Sequence, residues 1–161
     1  MDVHEDVVTS AADGGLEGLY RNVGARLWRA VVMYTGDREV ASDAVAEAFA
    51  QALRRGEAIR DPRRWVWRAA FNIAAGELKR RRRKPVLDQR ESAPDPELPI
   101  LLREALAVLS PKQRAAVILH HYAGYPVRDV ARIIGSTSSA VGVHLHRGRE
   151  RLRRLLENTD V

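Results

Sequence analysis

The stretch Val127 to Leu156 leaves this chain few choices of fold. Val127, Val130, Ala131 and Ile134 recur at the i, i+3, i+4, i+7 spacing that gathers apolar side chains on one helical face, and Gly135 follows where a helix stop belongs. Ser136, Thr137, Ser138 and Ser139 then offer hydroxyl oxygens to the free N–H groups of a new helix; Thr137 is the preferred cap, with Ser136 as the alternative. The second helix is expected to bury Val141, Leu145, Gly148, Leu152 and Leu155. Ser139, Gly142, Val143, His146, Arg147, Arg153 and Arg154 then stay near the outward side. A short helix, a glycine corner and a longer helix with a cationic face match a helix-turn-helix whose second helix enters the DNA major groove. The competing reading is an ordinary helical hairpin with a solvated arginine face.

Charge and composition narrow the classes further. The chain has 161 residues, enough for one ordinary domain or two small ones, and is 45% hydrophobic and 30% charged with a net charge of +6. An arginine-dominated surplus of this size favours a polyanionic partner. There is no cysteine, which removes disulfides, thiolate nucleophiles and cysteine zinc sites and suits a reducing compartment. No apolar run approaches membrane-spanning length, and MDVHEDVVTSAADGG lacks the basic start and apolar core of a secretion signal, so the cytoplasm is the expected location. Catalysis finds no support. His144 and His146 point to different sides of a helix, His120 and His121 likewise diverge, and no phosphate loop, Ser-His-Asp set or carboxylate pair can be assembled. Neither a metal nor a cofactor is expected.

In chain order, residues 1–15 end in Asp13-Gly14-Gly15 and read as a mobile lead-in. A first helix follows, with Leu16, Leu19, Tyr20, Val23, Leu27, Val31 and Tyr34 on one stripe, closed by Gly36-Asp37. Val40, Ala41, Ala44, Val45, Ala48, Phe49, Ala52 and Leu53 form the next stripe, with Asp43 and Glu47 one turn apart on another face; Gly56 ends it. The connector Glu57 to Arg64 is cationic, and its Asp61-Pro62 pair favours a turn. A third helix, about Arg64 to Arg82, turns Val66, Ala69, Ala70, Ile73 and Ala74 inward and ends in Lys79-Arg80-Arg81-Arg82-Arg83-Lys84. The helix dipole accounts for part of that run but does not need six cations. Beside Trp65, Trp67, Phe71 and Asn72 the run supplies phosphate-pairing charge, rings for base stacking and an amide for a base edge. The plainer reading assigns two of those three aromatics to the core, and at least one tryptophan is expected to be exposed in part. Pro85 to Pro99 breaks the helical pattern with Pro94, Pro96 and Pro99 and reads as a linker. Beyond it, Leu101, Leu102, Ala105, Leu106 and Leu109 mark a helix, Ser110-Pro111 a cap and first position, and Ala115, Ile118, Leu119 and Tyr122 a further helix reaching Gly124. The expected fold is all-α: two small helical domains, 16–84 and 98–161, joined by a proline-rich linker over 85–97, the second a helix-turn-helix domain.

With the order of these motifs in view, the chain resembles the extracytoplasmic-function sigma factors of bacterial RNA polymerase over nearly all of its length after residue 15. Gly36 to Leu53 is similar to the segment that grips the polymerase largest subunit, with Asp43, Glu47 and Phe49 at matching positions, although Ala46 replaces the usual glutamine. Trp65 to Arg83 is similar to the helix that handles the minus-ten element; Asn72 matches, whereas Phe71 and Gly76 replace the common arginine and aspartate. LSPKQR, Asp129, Ala131, Val141 and Leu145-His146-Arg147 are in register with the minus-thirty-five reading domain. Gly142, Val143 and His144 stand where a lysine, a small polar residue and an arginine are common.

The resemblance implies a dissociable subunit with RNA polymerase core and promoter DNA as partners. An anti-sigma protein is a further candidate, since apolar helix faces on both domains would suit such a clamp. Asp43, Glu47 and Phe49 are expected at the polymerase. Arg60, Arg63, Arg64, Trp65, Arg68, Asn72, Lys79, Arg80, Arg81, Arg82 and Arg83 are expected at the minus-ten element, where the connector Glu57 to Arg64 forms the base-capturing pocket. Arg128, Thr137, Ser138, Ser139, Gly142, Val143, His146 and Arg147 are expected at the minus-thirty-five element. The nearest rival is a helix-turn-helix regulator on the same scaffold that does not recruit polymerase.

Overall fold

Seven α-helices and two short irregular turns make up the computed structural model of the protein, which describes residues 15–85, 87 and 91–159. Among the described residues there is no strand. Gly15, at the end of the expected lead-in, is already helical; the rest of that segment lies outside the described residues, as do residues 86 and 88–90 of the linker.

Helix α1 spans Gly15–Thr35 and α2 spans Arg38–Arg55. The corner between them needs Gly36, whose φ of 71° suits a residue without Cβ. Asp37 then caps α2: its carboxylate accepts from the N–H groups of Glu39 and Val40, and it is fully buried. A 3₁₀ turn at Gly56–Ala58 leads to α3, Pro62–Arg83. The Asp61-Pro62 pair, expected to make a turn, instead starts this helix. Asp61 accepts from the Arg64 N–H and proline occupies the first position, where no N–H is needed. Helices α1 to α3 pack together around Leu27, Val31, Ala44, Ala48, Val66, Ala70 and Ala74.

The second group begins with α4, Ile100–Ala107, and α5, Pro111–Val117, the latter opened by a reciprocal capping box between Ser110 and Gln113. Ile118–Tyr122 then widens into a π turn, in which the Ala123 N–H donates to the Ile118 carbonyl at 3.0 Å. Helix α6, Val127–Ile134, ends at Gly135 with φ 66°, and α7, Ser138–Thr159, starts from Thr137, whose hydroxyl accepts from the Ala140 N–H at 3.1 Å. The preferred cap is therefore the observed one. Of the expected inward stripe of α7, Val141, Leu145 and Gly148 are buried, while Leu152 and Leu155 are only half-buried. Gly148 matters for packing, because a Cβ there would meet a Val117 methyl at 3.0 Å.

The two groups share one hydrophobic cluster, which runs from Leu27 through Val66 and Trp67 to Leu119, Ile133 and Val141. Helix α6 lies along α3, and α1 touches α4, α5 and the π turn. Trp67 meets Tyr125 edge-on with centroids 5.7 Å apart. Arg114 donates to the Tyr34 carbonyl at 2.9 Å, and the Arg26 guanidinium donates to the Tyr122 carbonyl. Periodicity along one helix carries no record of these contacts.

Candidate nucleic-acid interface

On α7, the helix-turn-helix geometry turns Thr137, Ser138, Ser139, Gly142, Val143, His146 and Arg147 to solvent. Arg128, at the start of α6, is exposed as well. Space above Gly142 is open, since a Cβ there would meet nothing within 4 Å. His144 is half-buried; that burial, with Lys112 and Arg147 nearby, holds its imidazole below the usual pKa and so disfavours the charged form. Further along, two arginines have partners within the protein. Arg151 donates to the Val108 carbonyl at 2.9 Å, and Arg153 pairs with Glu150 at 2.8 Å.

The α3 face is built differently. Arg64, Trp65, Arg68, Asn72 and Lys79 follow one another at helical spacing, and Trp65, half-buried, carries the Arg55 guanidinium 5.8 Å from its ring centre. Trp67 and Phe71, at 3% and 2% exposure, stack on each other inside the core, so two of the three aromatics are structural and Trp65 alone remains partly open. A cleft of about 280 Å³ opens beside Trp65 between the connector, with Ile59, Arg60 and Asp61, and the first two turns of α3. Arg63 is exposed at the same end.

At the other end of α3, Lys79, Arg80, Arg82 and Arg83 are exposed or nearly so, with Arg80 held at 2.6 Å by Glu77. Arg81 departs from the expectation of a DNA contact. It turns back to the fully buried Asp37 at 3.1 Å, a charge pair that the low-dielectric interior makes obligatory. That role is invisible in the sequence because Asp37 lies 44 positions away from Arg81.

Helix α2 exposes Asp43 and Glu47. Gln51 and Arg54 donate to the Glu47 carboxylate and hold its pKa below the usual range. Phe49 is half-buried, its ring edge-on to Tyr20 at 5.2 Å, so it supports this face from beneath. Asp129, which the sequence marks only as part of a motif, is buried and accepts from Arg64 of the first group at 3.4 Å. Among the described residues no cluster of three or more acids and histidines can hold a metal ion, and no helix is long and apolar enough to cross a membrane.

Residues 100–152 match the family described as sigma-70, region 4. Over 94% of its length the chain is 29% identical to the extracytoplasmic-function RNA polymerase sigma factor SigL of Mycobacterium tuberculosis, covering 95% of that protein. It is 32% identical to the RNA polymerase sigma factor CarQ of Myxococcus xanthus over 57% of this chain and 59% of that one. Among solved structures, the fold is similar to the sigma factor RpoE of Bartonella quintana, crystallised with the anti-sigma factor NepR (TM-score 0.76, 20% identity, 89% of this chain and 98% of that one). It is also similar to CnrH in complex with the cytosolic domain of CnrY (TM-score 0.67, 20% identity, 98% and 99%).

Proposed function

We propose that this chain is an extracytoplasmic-function sigma factor of bacterial RNA polymerase, a reading supported by its sigma-70 region 4 match and its similarity to named sigma factors, and that its surfaces divide the work of promoter recognition. As a sigma factor it directs polymerase to promoters in transcription initiation, a regulatory role and not an enzymatic one. In this division α7 reads the minus-thirty-five element, with base-edge contacts from the Ser139 to Arg147 face. Helix α3 and its connector take the minus-ten element, Trp65 and Asn72 meeting unpaired bases and the terminal cations meeting phosphates. The acidic face of α2 meets the polymerase. A polymerase subunit works where the polymerase is, which places this one in the cytoplasm, and an anti-sigma protein is a natural further partner. The observation that carries this division is the pairing of two exposed basic helices in separate groups with a cleft beside the one partly open tryptophan. A single-site regulator needs only the first of these.

Run-off transcription with core polymerase on genomic DNA, paired with a core pull-down, tests the assignment. The chain should retain core and yield discrete transcripts absent without it. Asp43→Lys with Glu47→Lys should abolish both while helicity is unchanged, because both groups are exposed. Duplex binding without core retention would leave the chain a regulator of the rival kind.

A further inference from the structure

A valine stands in the middle of the face that α7 turns to solvent. Val143 is 45% exposed, and its neighbours on that face, Ser139 one turn before it and His146 and Arg147 one turn after it, are exposed as well. Each of those neighbours can donate a hydrogen bond, whereas a valine side chain has neither donor nor acceptor. Leu156, the other large apolar side chain exposed on this helix, lies near its far end, beyond Arg153 and Arg154. A single exposed apolar residue is ordinary on a protein surface. On a face that lies against base edges, its chemistry limits what it can meet.

In the major groove guanine presents N7 and O6, adenine its N7 and amino group, and cytosine its amino group; thymine alone sets a methyl group beside its O4. An apolar side chain pressed on a polar edge strips it of water and returns no hydrogen bond, which opposes binding. Against the thymine methyl the same side chain buries apolar surface on both partners. Branching at Cβ sharpens the contact, because a valine in a helix keeps one strongly preferred rotamer and its methyl groups are in place before DNA arrives. Beside it, Gly142 carries no side chain and the space above it is open, so that residue sets nothing between Val143 and a base edge. His144, on the other side, is half-buried.

We propose that Val143 is a specificity-determining residue for the upstream element and reads the 5-methyl group of one thymine in the major groove. This deepens the functional reading above and rests on it, since α7 must lie in the groove. A valine contact senses the methyl and not the hydrogen-bonding edge of the base. It therefore separates thymine from uracil, and at the same place 5-methylcytosine from cytosine.

The test uses the full chain with core polymerase on a promoter found by run-off transcription, with the upstream element located by footprinting. Each thymine of that element, on either strand, is replaced singly by deoxyuridine, which removes the methyl and leaves O4 and the base pair unchanged. Binding to one of these duplexes should weaken by roughly three- to tenfold, the loss expected for one buried methyl contact. Val143→Ala should weaken binding to the thymine duplex by a similar factor and lose the distinction at that thymine alone, while its response to every other replacement matches that of the unmodified chain. General damage to α7 would instead lower binding to all duplexes together and leave the ratio of thymine to deoxyuridine intact. Alanine is the better helix former and the site is exposed, so the helix itself is not at stake. With cytosine in place of that thymine, the unmodified chain should bind the 5-methylated duplex more tightly than the unmethylated one, and Val143→Ala should bind the two alike. Tolerance of deoxyuridine at every thymine, an element without thymine, or a penalty that persists in Val143→Ala overturns the proposal. In those cases the unmodified chain still retains core and yields transcripts. If it yields no discrete transcript, the functional reading fails at the first step, and the methyl contact with it.

Discussion

Gly142 is the residue at which this recognition helix departs furthest from what a DNA-reading helix ordinarily carries. It lies exposed in the middle of the outward face of α7, the neighbouring Val143 is 45% exposed, and partial burial disfavours the charged form of His144. A glycine within a helix costs about 1 kcal/mol relative to alanine, so both charge and rigidity are lacking where base contacts should start. Because a Cβ at Gly142 would meet nothing within 4 Å, a lysine fits without strain inside the protein. Titrating Gly142→Lys against a cognate promoter at two salt concentrations should show tighter binding and a salt slope steeper by roughly 0.9, the increment for one more neutralised phosphate. Weaker binding by a still-helical Gly142→Lys protein would mean that the glycine allows close approach of the backbone to DNA. Residue-scale features of this kind, together with the Thr137 and Ser110 caps, are legible in sequence because both partners lie within one helical turn. Asp37, by contrast, marks in sequence only the end of a turn. Its partner Arg81 comes from another helix, so nothing local identifies it as a buried anchor.

Helix α3 shows what is legible and what is not at the scale of an element. Its existence, its basic end and the inward placement of Val66, Ala70 and Ala74 follow from period and charge. The width of its buried face does not. Trp67 and Phe71 are in the core because a second helical group covers α3 on another side, and no amphipathic pattern written for one neighbour anticipates two. The same logic sorts the cations. Neutralising Lys79, Arg80, Arg82 and Arg83 while sparing Arg81 should flatten the salt dependence of DNA binding by about 0.7 to 0.9 for each phosphate that is no longer neutralised. Arg80 should contribute least, because Glu77 already pairs with it. Adding Arg81→Gln should change thermal stability far more than the slope, since its carboxylate partner is buried. If instead the slope falls by a further full phosphate increment while the melting temperature holds, Arg81 belongs to the DNA surface after all.

Across the whole molecule, Arg114 fastens the two groups. From α5 it donates to the Tyr34 carbonyl at 2.9 Å and to the Leu109 carbonyl at 3.3 Å, and its guanidinium carbon lies 5.9 Å from the Tyr34 ring centre. Burial lowers its pKa and raises that of the Tyr34 hydroxyl, the mark of polar groups held in a shared, poorly hydrated interior. Arg114→Met keeps the apolar stem but leaves two carbonyls without this donor, a loss on the order of 1–2 kcal/mol. In calorimetry that corresponds to a melting temperature lower by about 2–8 °C for a chain of this size. Solution scattering should also show a larger radius of gyration for Arg114→Met, because the bond to Tyr34 spans the seam; an unchanged radius with a lowered melting temperature would confine Arg114 to a role within its own group.

By itself the sequence determined the helices, the Ser110 and Thr137 caps, the glycine corners, the helix-turn-helix and the basic faces. Each of these is set by interactions among residues a few positions apart, and the chain's covalent geometry brings those residues together whatever the rest of the molecule does. The tertiary structure alone decided which cations serve the fold and which face solvent, as with Arg81 on Asp37 and Arg151 on the Val108 carbonyl. It alone decided that Arg64 meets Asp129, 65 positions away, and that residues of α6 line clefts beside Trp65 and Asn72 of α3. Those outcomes depend on how two amphipathic groups bury their remaining apolar surface against each other, a non-local choice that helical period and charge do not encode.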